Sequence, residues 1–208
     1  MTFNIFMVTE KKMSAKFSEN DKAEIRAKMI QYGFRILKSG GIKAVNIEEI
    51  TRRCYVSKGS FYTLFASKTE FLYQIMLYKR QESKDKIRDY LSEDDTLSYS
   101  GLRSYLRWLA DENPNIFSYL DGQHTLWLVS KWPPEYLENE ENDEQTARRI
   151  ISMLANPKEN PDWQLFCNYL KLLALTLNSR ELLVPDAADR LIDNLIDDAC
   201  GCICERPL

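Results

Sequence analysis

The sequence predicts an all-α protein, with a small N-terminal helix-turn-helix domain followed by a larger helical domain. Three observations carry that prediction. Apolar residues recur at helical spacing along most of the chain. Asn46, Ser57 and Ser67 each stand where a short polar side chain opens a helix, and the second of these helices begins only a few residues after the first ends. Charge is also divided along the chain: residues 1–68 hold 13 Lys or Arg against 6 Asp or Glu, whereas residues 69–208 hold 15 against 25. A basic front half suits a polyanionic partner, and the acidic remainder does not.

The 208 residues, 44% hydrophobic and 28% charged, are those of an ordinary globular chain with room for a small domain joined to a larger one. No apolar run approaches the roughly 20 residues that span a bilayer. The apolar start, Met1–Val8, has no basic residues before it and no small-residue cleavage site after it. No signal peptide and no membrane partner are therefore expected, and the expected location is cytoplasmic. Five cysteines, an odd number, do not form a disulfide framework.

Residues 1–19 lack periodicity, carry Lys11, Lys12 and Lys16, and read as a flexible arm. The DNA-binding domain is expected over residues 20–68. Its first helix starts at Asn20 or Asp21, buries Ile25, Met29, Ile30, Phe34 and Leu37, and stops at Gly40-Gly41. Asn46 followed by Glu49 is a capping-box-like start to a short helix, Ile47 to about Cys54, with Ile47 and Ile50 inward and Arg52 and Arg53 outside. After Tyr55-Val56, Ser57 caps the next helix. Lys58, Ser60, Tyr62 and Thr63 lie on its polar side, with Phe61, Leu64 and Phe65 on its apolar side. Ser67-Lys68-Thr69-Glu70 is a full capping box opening a long helix that runs from the basic half into the acidic half.

Residues from about Ile25 to Leu72 resemble the DNA-binding domain of the tetracycline-repressor (TetR) family of bacterial transcription regulators. The resemblance rests on Gly41-Ile42-x-Ala44, Asn46-Ile47-x-x-Ile50, Val56-Ser57-x-Gly59-x-Phe61-Tyr62-x-x-Phe65, and Ser67-Lys68-x-x-x-Leu72, in that order. It covers about a quarter of the chain. Thr51 and Cys54 stand where the family usually has Ala, Tyr55 where the turn usually has Gly, and Leu64 where His or Tyr often precedes the final Phe. A non-Gly residue at the Tyr55 position has either to accept a positive backbone angle or to shift the turn.

Residues 69–208 are expected to form the regulatory and dimerisation domain. Ser100–Ala110 reads as a helix, and Asn113-Pro114 reads as the start of another that ends before Gly122. Thr125–Trp132 is helical until Pro133-Pro134. Residues 135–144, with six acidic side chains, form a solvated loop or helix start, and Ala147–Ala155 resumes a helix. Trp163–Leu177 is apolar almost all round. The last helix sets Ala188, Leu191, Ile192, Leu195, Ile196 and Ala199 against a row of Asp residues. Two such helices, doubled by two-fold symmetry, make a four-helix dimer interface, and the resemblance implies the same homodimer.

The expected function is sequence-specific binding of double-stranded DNA at a palindromic site. Lys58, Ser60 and Thr63 are candidates for base edges, and Asn46, Ser57, Tyr62 and Lys68 for phosphates. Repression is what the resemblance implies; activation, or control by abundance without a ligand, is the alternative. A small apolar or aromatic ligand would be met by Trp108, Phe117, Trp127, Phe166 and Tyr169, with Tyr119 and Trp132 as further aromatics and His124 as a polar group. Neither cofactor nor metal is expected. Cys200, Cys202 and Cys204 are soft ligands, but their spacing matches no usual zinc pattern and no His accompanies them. Catalysis is not expected: there is one His, no Gly-rich phosphate loop and no nucleophile motif. A helical protein-binding adaptor is the rival from another class.

Overall fold

Ser18 opens the first helix, two residues before the expected start. Its hydroxyl accepts from Asp21 N at 3.1 Å while the Asp21 carboxylate accepts from Ser18 N at 2.9 Å, a reciprocal box that satisfies amides left unpaired by the first turn. The computed structural model describes residues 18–120, 122–134 and 140–206, so the basic arm lies outside the described residues. Within them are nine α-helices, α1 (Glu19–Ala44), α2 (Ile47–Arg53), α3 (Lys58–Leu64), α4 (Lys68–Lys86), α5 (Tyr99–Glu112), α6 (Gly122–Lys131), α7 (Glu140–Met153), α8 (Trp163–Asn178) and α9 (Pro185–Ile203). Short 3-10 turns join some of them, and the described residues contain isolated bridges but no strand.

Two glycines shape α1. Gly41, at φ +67°, breaks the helix before a last turn that carries Ile42, in line with the expected stop. Gly33 is a close approach: a Cβ there would come within 2.5 Å of the Phe71 ring, so α1 and α4 meet across bare backbone.

The front core gathers Met29, Ile30, Phe34 and Leu37 of α1, Ile50 of α2, Phe61 of α3 and Phe71, Leu72, Ile75 and Met76 of α4. Phe61, Phe65 and Phe71 meet with centroids 4.9–5.2 Å apart, in tilted and edge arrangements favoured by ring quadrupoles. Leu128 and Trp132 from α6 and its end also belong to this core. The front core therefore extends past Lys68, where charge and motif divide the sequence.

The back core is built from Leu102, Tyr105 and Leu106 of α5, Ala147 and Ile150 of α7, Phe166 and Leu173 of α8, and a continuous stripe of α9. α4 spans both, since Ile87 just beyond its end lies in the back core. Arg103 and Arg107 of α5 pair with Asp189, Asp193 and Asp197, which gives the acidic row of α9 a partner helix.

Two features differ from the sequence expectation: the α9 residues Ala188, Ile192, Leu195, Ile196 and Ala199, expected at a dimer interface, are already buried within the single chain, leaving Leu191 exposed, and the Asn113 segment takes another form. Asn113 does not open a helix; it is the left-handed C-cap of α5, at φ +43°, with its N–H donating to Leu109 O at 3.0 Å. Asn tolerates that conformation, and Pro114 then prevents continuation of α5. Only a 3-10 turn, Ile116–Tyr119, follows, and the Tyr119 hydroxyl returns to donate to Asn113 O at 2.7 Å.

Candidate nucleic-acid interface

α2 and α3 are short, and each is capped as its sequence dictates. The Asn46 side chain accepts from Glu48 N at 2.8 Å and Glu49 N at 3.4 Å. The Ser57 hydroxyl accepts from Ser60 N at 3.1 Å. Glu49 does not complete a box with Asn46, because Arg52 and Arg53 take its carboxylate; their hydrogen bonds hold its pKa down to about 2. At the start of α4 the Ser67 hydroxyl accepts from Glu70 N as expected, while the Glu70 carboxylate reaches one residue further back, to Ala66 N at 2.5 Å.

The turn between α2 and α3 keeps its shape around Tyr55. That residue takes the positive angle, φ +56°, and the turn closes with Val56 N donating to Thr51 O at 3.0 Å. Thr51 is buried, its hydroxyl bonded to backbone carbonyls of its own helix. The Tyr55 ring, 95% exposed, gains nothing in packing to offset the backbone cost. Tyr55→Gly is therefore expected to stabilise the protein by about 0.5–1 kcal/mol, read as a raised urea midpoint with unchanged m-value.

α3 is anchored from within by Phe61, fully buried, and at its end by Arg26 of α1. The Arg26 guanidinium donates to Leu64 O at 2.7 Å and lies 4.7 Å from the centre of the Phe65 ring. A cation on the last carbonyls of a helix satisfies an acceptor and opposes the dipole. With one face held so firmly, α3 turns Lys58, Tyr62 and Thr63 outward, Ser60 being half-buried beside them. The Thr63 hydroxyl donates to Gly59 O at 3.0 Å, and Tyr62 packs edge-on against Phe61.

The three cations of the helix-turn-helix are all matched by carboxylates of α2. Arg52 and Arg53 hold Glu49, and Lys58 Nζ lies 2.9 Å from Glu48 across ten positions of sequence. The pairing lowers the Glu48 pKa and raises that of Lys58, chiefly through the hydrogen bond between them. Asn46, Ser57, Lys58, Ser60, Tyr62 and Thr63 thus share α2 and α3, with the Lys58–Glu48 contact bringing their two N-terminal ends together. Lys68 differs. Its ammonium, half-buried and with its pKa lowered by desolvation, donates to Ile42 O at 3.1 Å and ties α4 to the end of α1.

Sequence patterning does not single out Glu48 or Arg26 as parts of this site. Glu48 resembles any acid in a first helical turn. The contact of Arg26 spans 38 residues, and nothing local signals it.

The aromatic candidates for a ligand site are dispersed. Trp108, Phe166 and Tyr169 belong to the back core, where Trp108 stacks on Tyr105 at 6.3 Å. Trp127 is 41% exposed on α6, Tyr119 lies edge-on to Phe34, and Trp132 is in the front core. The Phe117 side chain lies outside the described residues, and His124 is half-buried on α6. A cleft of 410 Å³ runs along α4, lined by Tyr78, Gln81, Glu82, Asp85, Lys86 and Asp89, and none of the aromatic candidates lines it.

Cys200, Cys202 and Cys204 are buried and unpaired. Burial pushes the Cys200 thiol up to about 12, and the thiols of Cys202 and Cys204 face backbone carbonyls at 3.2 and 3.3 Å. Thiols so protonated are poor ligands and nucleophiles. Among the described residues no group of three His, Cys, Asp or Glu side chains is disposed to hold a metal ion, and no helix is long and apolar enough to cross a membrane.

Residues 30–75 match the sequence model of a family described as bacterial regulatory proteins, tetR family. Among solved structures, a TetR family transcription regulator from Marinobacter aquaeolei VT8 is 18% identical, covering 91% of this chain and 100% of its own, with a TM-score of 0.57. A transcriptional regulator from Rhodococcus sp. Rha1 is 16% identical over 88% of this chain and 99% of its own, with a TM-score of 0.58. A TetR-family transcriptional regulator from Haemophilus influenzae RD is 15% identical over 88% and 98%, at 0.51. At these identities the likeness is one of fold. A search of curated protein sequences gives no match.

Proposed function

We propose, from the premise that residues 30–75 belong to the tetR family of bacterial regulatory proteins, that this transcription regulator binds a palindromic DNA site as a homodimer. The observation that carries the proposal is α3 itself, anchored by Phe61 and Arg26 with Lys58, Tyr62 and Thr63 turned to solvent. Each α3 would enter a major groove. Lys58, Ser60 and Thr63 would meet base edges, while Asn46, Ser57, Tyr62 and Lys68 would fix register on phosphates. Repression by occlusion of the promoter is the mode we favour.

The dimer is proposed through α8 and α9. Phe166, Cys167 and Leu173 fill the inner side of α8, yet Leu165, Leu172 and Leu175 are 44%, 46% and 63% exposed. Leucines at this spacing fall on one face of α8, and they form a stripe suited to a second copy; Leu191, 39% exposed, is the apolar side chain that α9 would add.

Control by a small apolar or aromatic ligand would act through α4. Side chains from elements that follow α4 in the chain grip that helix at both ends. Trp132 Nε1 donates to Thr69 O at 3.0 Å near its start, while the Tyr105 hydroxyl and the Arg149 guanidinium each donate, at 2.9 Å, to Ser83 O and Lys84 O near its end. A ligand that prefers one position of these grips would change DNA affinity by that preference.

Gel-shift titration against genomic fragments tests the reading. A sequence-specific, salt-sensitive shift is expected, and Lys58→Ala or Thr63→Ala should each weaken it by about 1–3 kcal/mol. Absence of any specific shift from pure protein would refute DNA recognition, and unchanged affinity in both variants would refute the assigned face.

A further inference from the structure

Lys58 is the only cation of α3, and its ammonium is held 2.9 Å from Glu48 of α2. A pair so open to solvent, with side chains 55% and 72% exposed, adds little to stability. Its place in the fold gives it a different consequence. An acidic group on a face that approaches phosphates works against binding, and this one, carried on the first turn of α2, is held against the N-terminal end of α3, the element proposed to enter the groove.

Resting on the DNA-binding reading above, we infer that Glu48 is a specificity-determining residue that makes Lys58 a reader of a guanine edge instead of a general phosphate anchor. A lysine ammonium has three N–H donors and Glu48 occupies one of them. The remaining two match the O6 and N7 acceptors that guanine presents in the major groove. A phosphate gains little from a cation already neutralised, and it is repelled by the Glu48 carboxylate. The base edge is uncharged and bears no such penalty, so the pair favours it over the backbone. Because Asn46 caps the same turn through Glu48 N, the carboxylate is carried on a fixed piece of backbone rather than a loop.

Full-length wild-type, Glu48→Gln and Glu49→Gln proteins should be passed through selection from a random duplex pool, then titrated against the selected duplex and a scrambled one over a salt series. Glu48→Gln is expected to lose a guanine preference at one position of each half-site. It should bind the scrambled duplex about tenfold more tightly, with a salt slope steeper by about one per protomer. Glu49→Gln removes the same charge but leaves Lys58 with its partner, so its base preference should match wild type. An unchanged preference in Glu48→Gln, or an equal relaxation in Glu49→Gln, overturns the inference while leaving DNA recognition intact. Failure of the wild-type protein to select any sequence overturns DNA recognition and the inference with it.

Discussion

Trp132→Ala is expected to destabilise the front of the molecule by about 3–5 kcal/mol, the cost of emptying a large, well-packed aromatic site. Trp132 is only 6% exposed, lies edge-on to Tyr73 at 5.6 Å, and bonds through its indole N–H to Thr69 O in the first turn of α4. Its removal leaves a cavity between α4 and α6 and frees the carbonyl it held. Urea unfolding followed at separate front and back probes should change from one transition to two, the front melting first. On the proposed function, DNA affinity should fall as well, since α4 supports the helix-turn-helix through Phe71 and Leu72. A single transition at the wild-type midpoint would show that the ring is dispensable and that α6 does not brace the front core.

The second large effect concerns assembly. Leu172→Asp combined with Leu175→Asp should convert the proposed dimer to a folded monomer by sedimentation. Both side chains are substantially exposed on the single chain, so the fold should not depend on them. Loss of the partner separates two linked half-site contacts, and operator affinity should drop about a hundredfold or more. If the variant sediments as wild type, the stripe on α8 is not the contact between protomers.

Much of the front half was legible from short-range signals. Asn46, Ser57 and Ser67 cap the helices they were expected to cap, because a cap is a contact between a side chain and amides two or three residues away. Tyr55 takes the positive angle that its place in the turn demands. At Asn113 the same Asn-Pro pair suits the end of one helix or the start of another, and only the packing of Tyr119 on Phe34 and its bond to Asn113 O decided for the end.

By itself the sequence determined the helical class, the helix-turn-helix and its caps, and the basic-to-acidic division, because periodicity, capping and charge are local or additive properties. Tertiary structure alone decided that Leu128 and Trp132 complete the front core, that the aromatic candidates divide between two cores, that Arg26 anchors α3, and that Glu48 takes Lys58. Each of these contacts depends on where helices cross, and the crossing is set by the summed shape of many side chains, which no local pattern encodes.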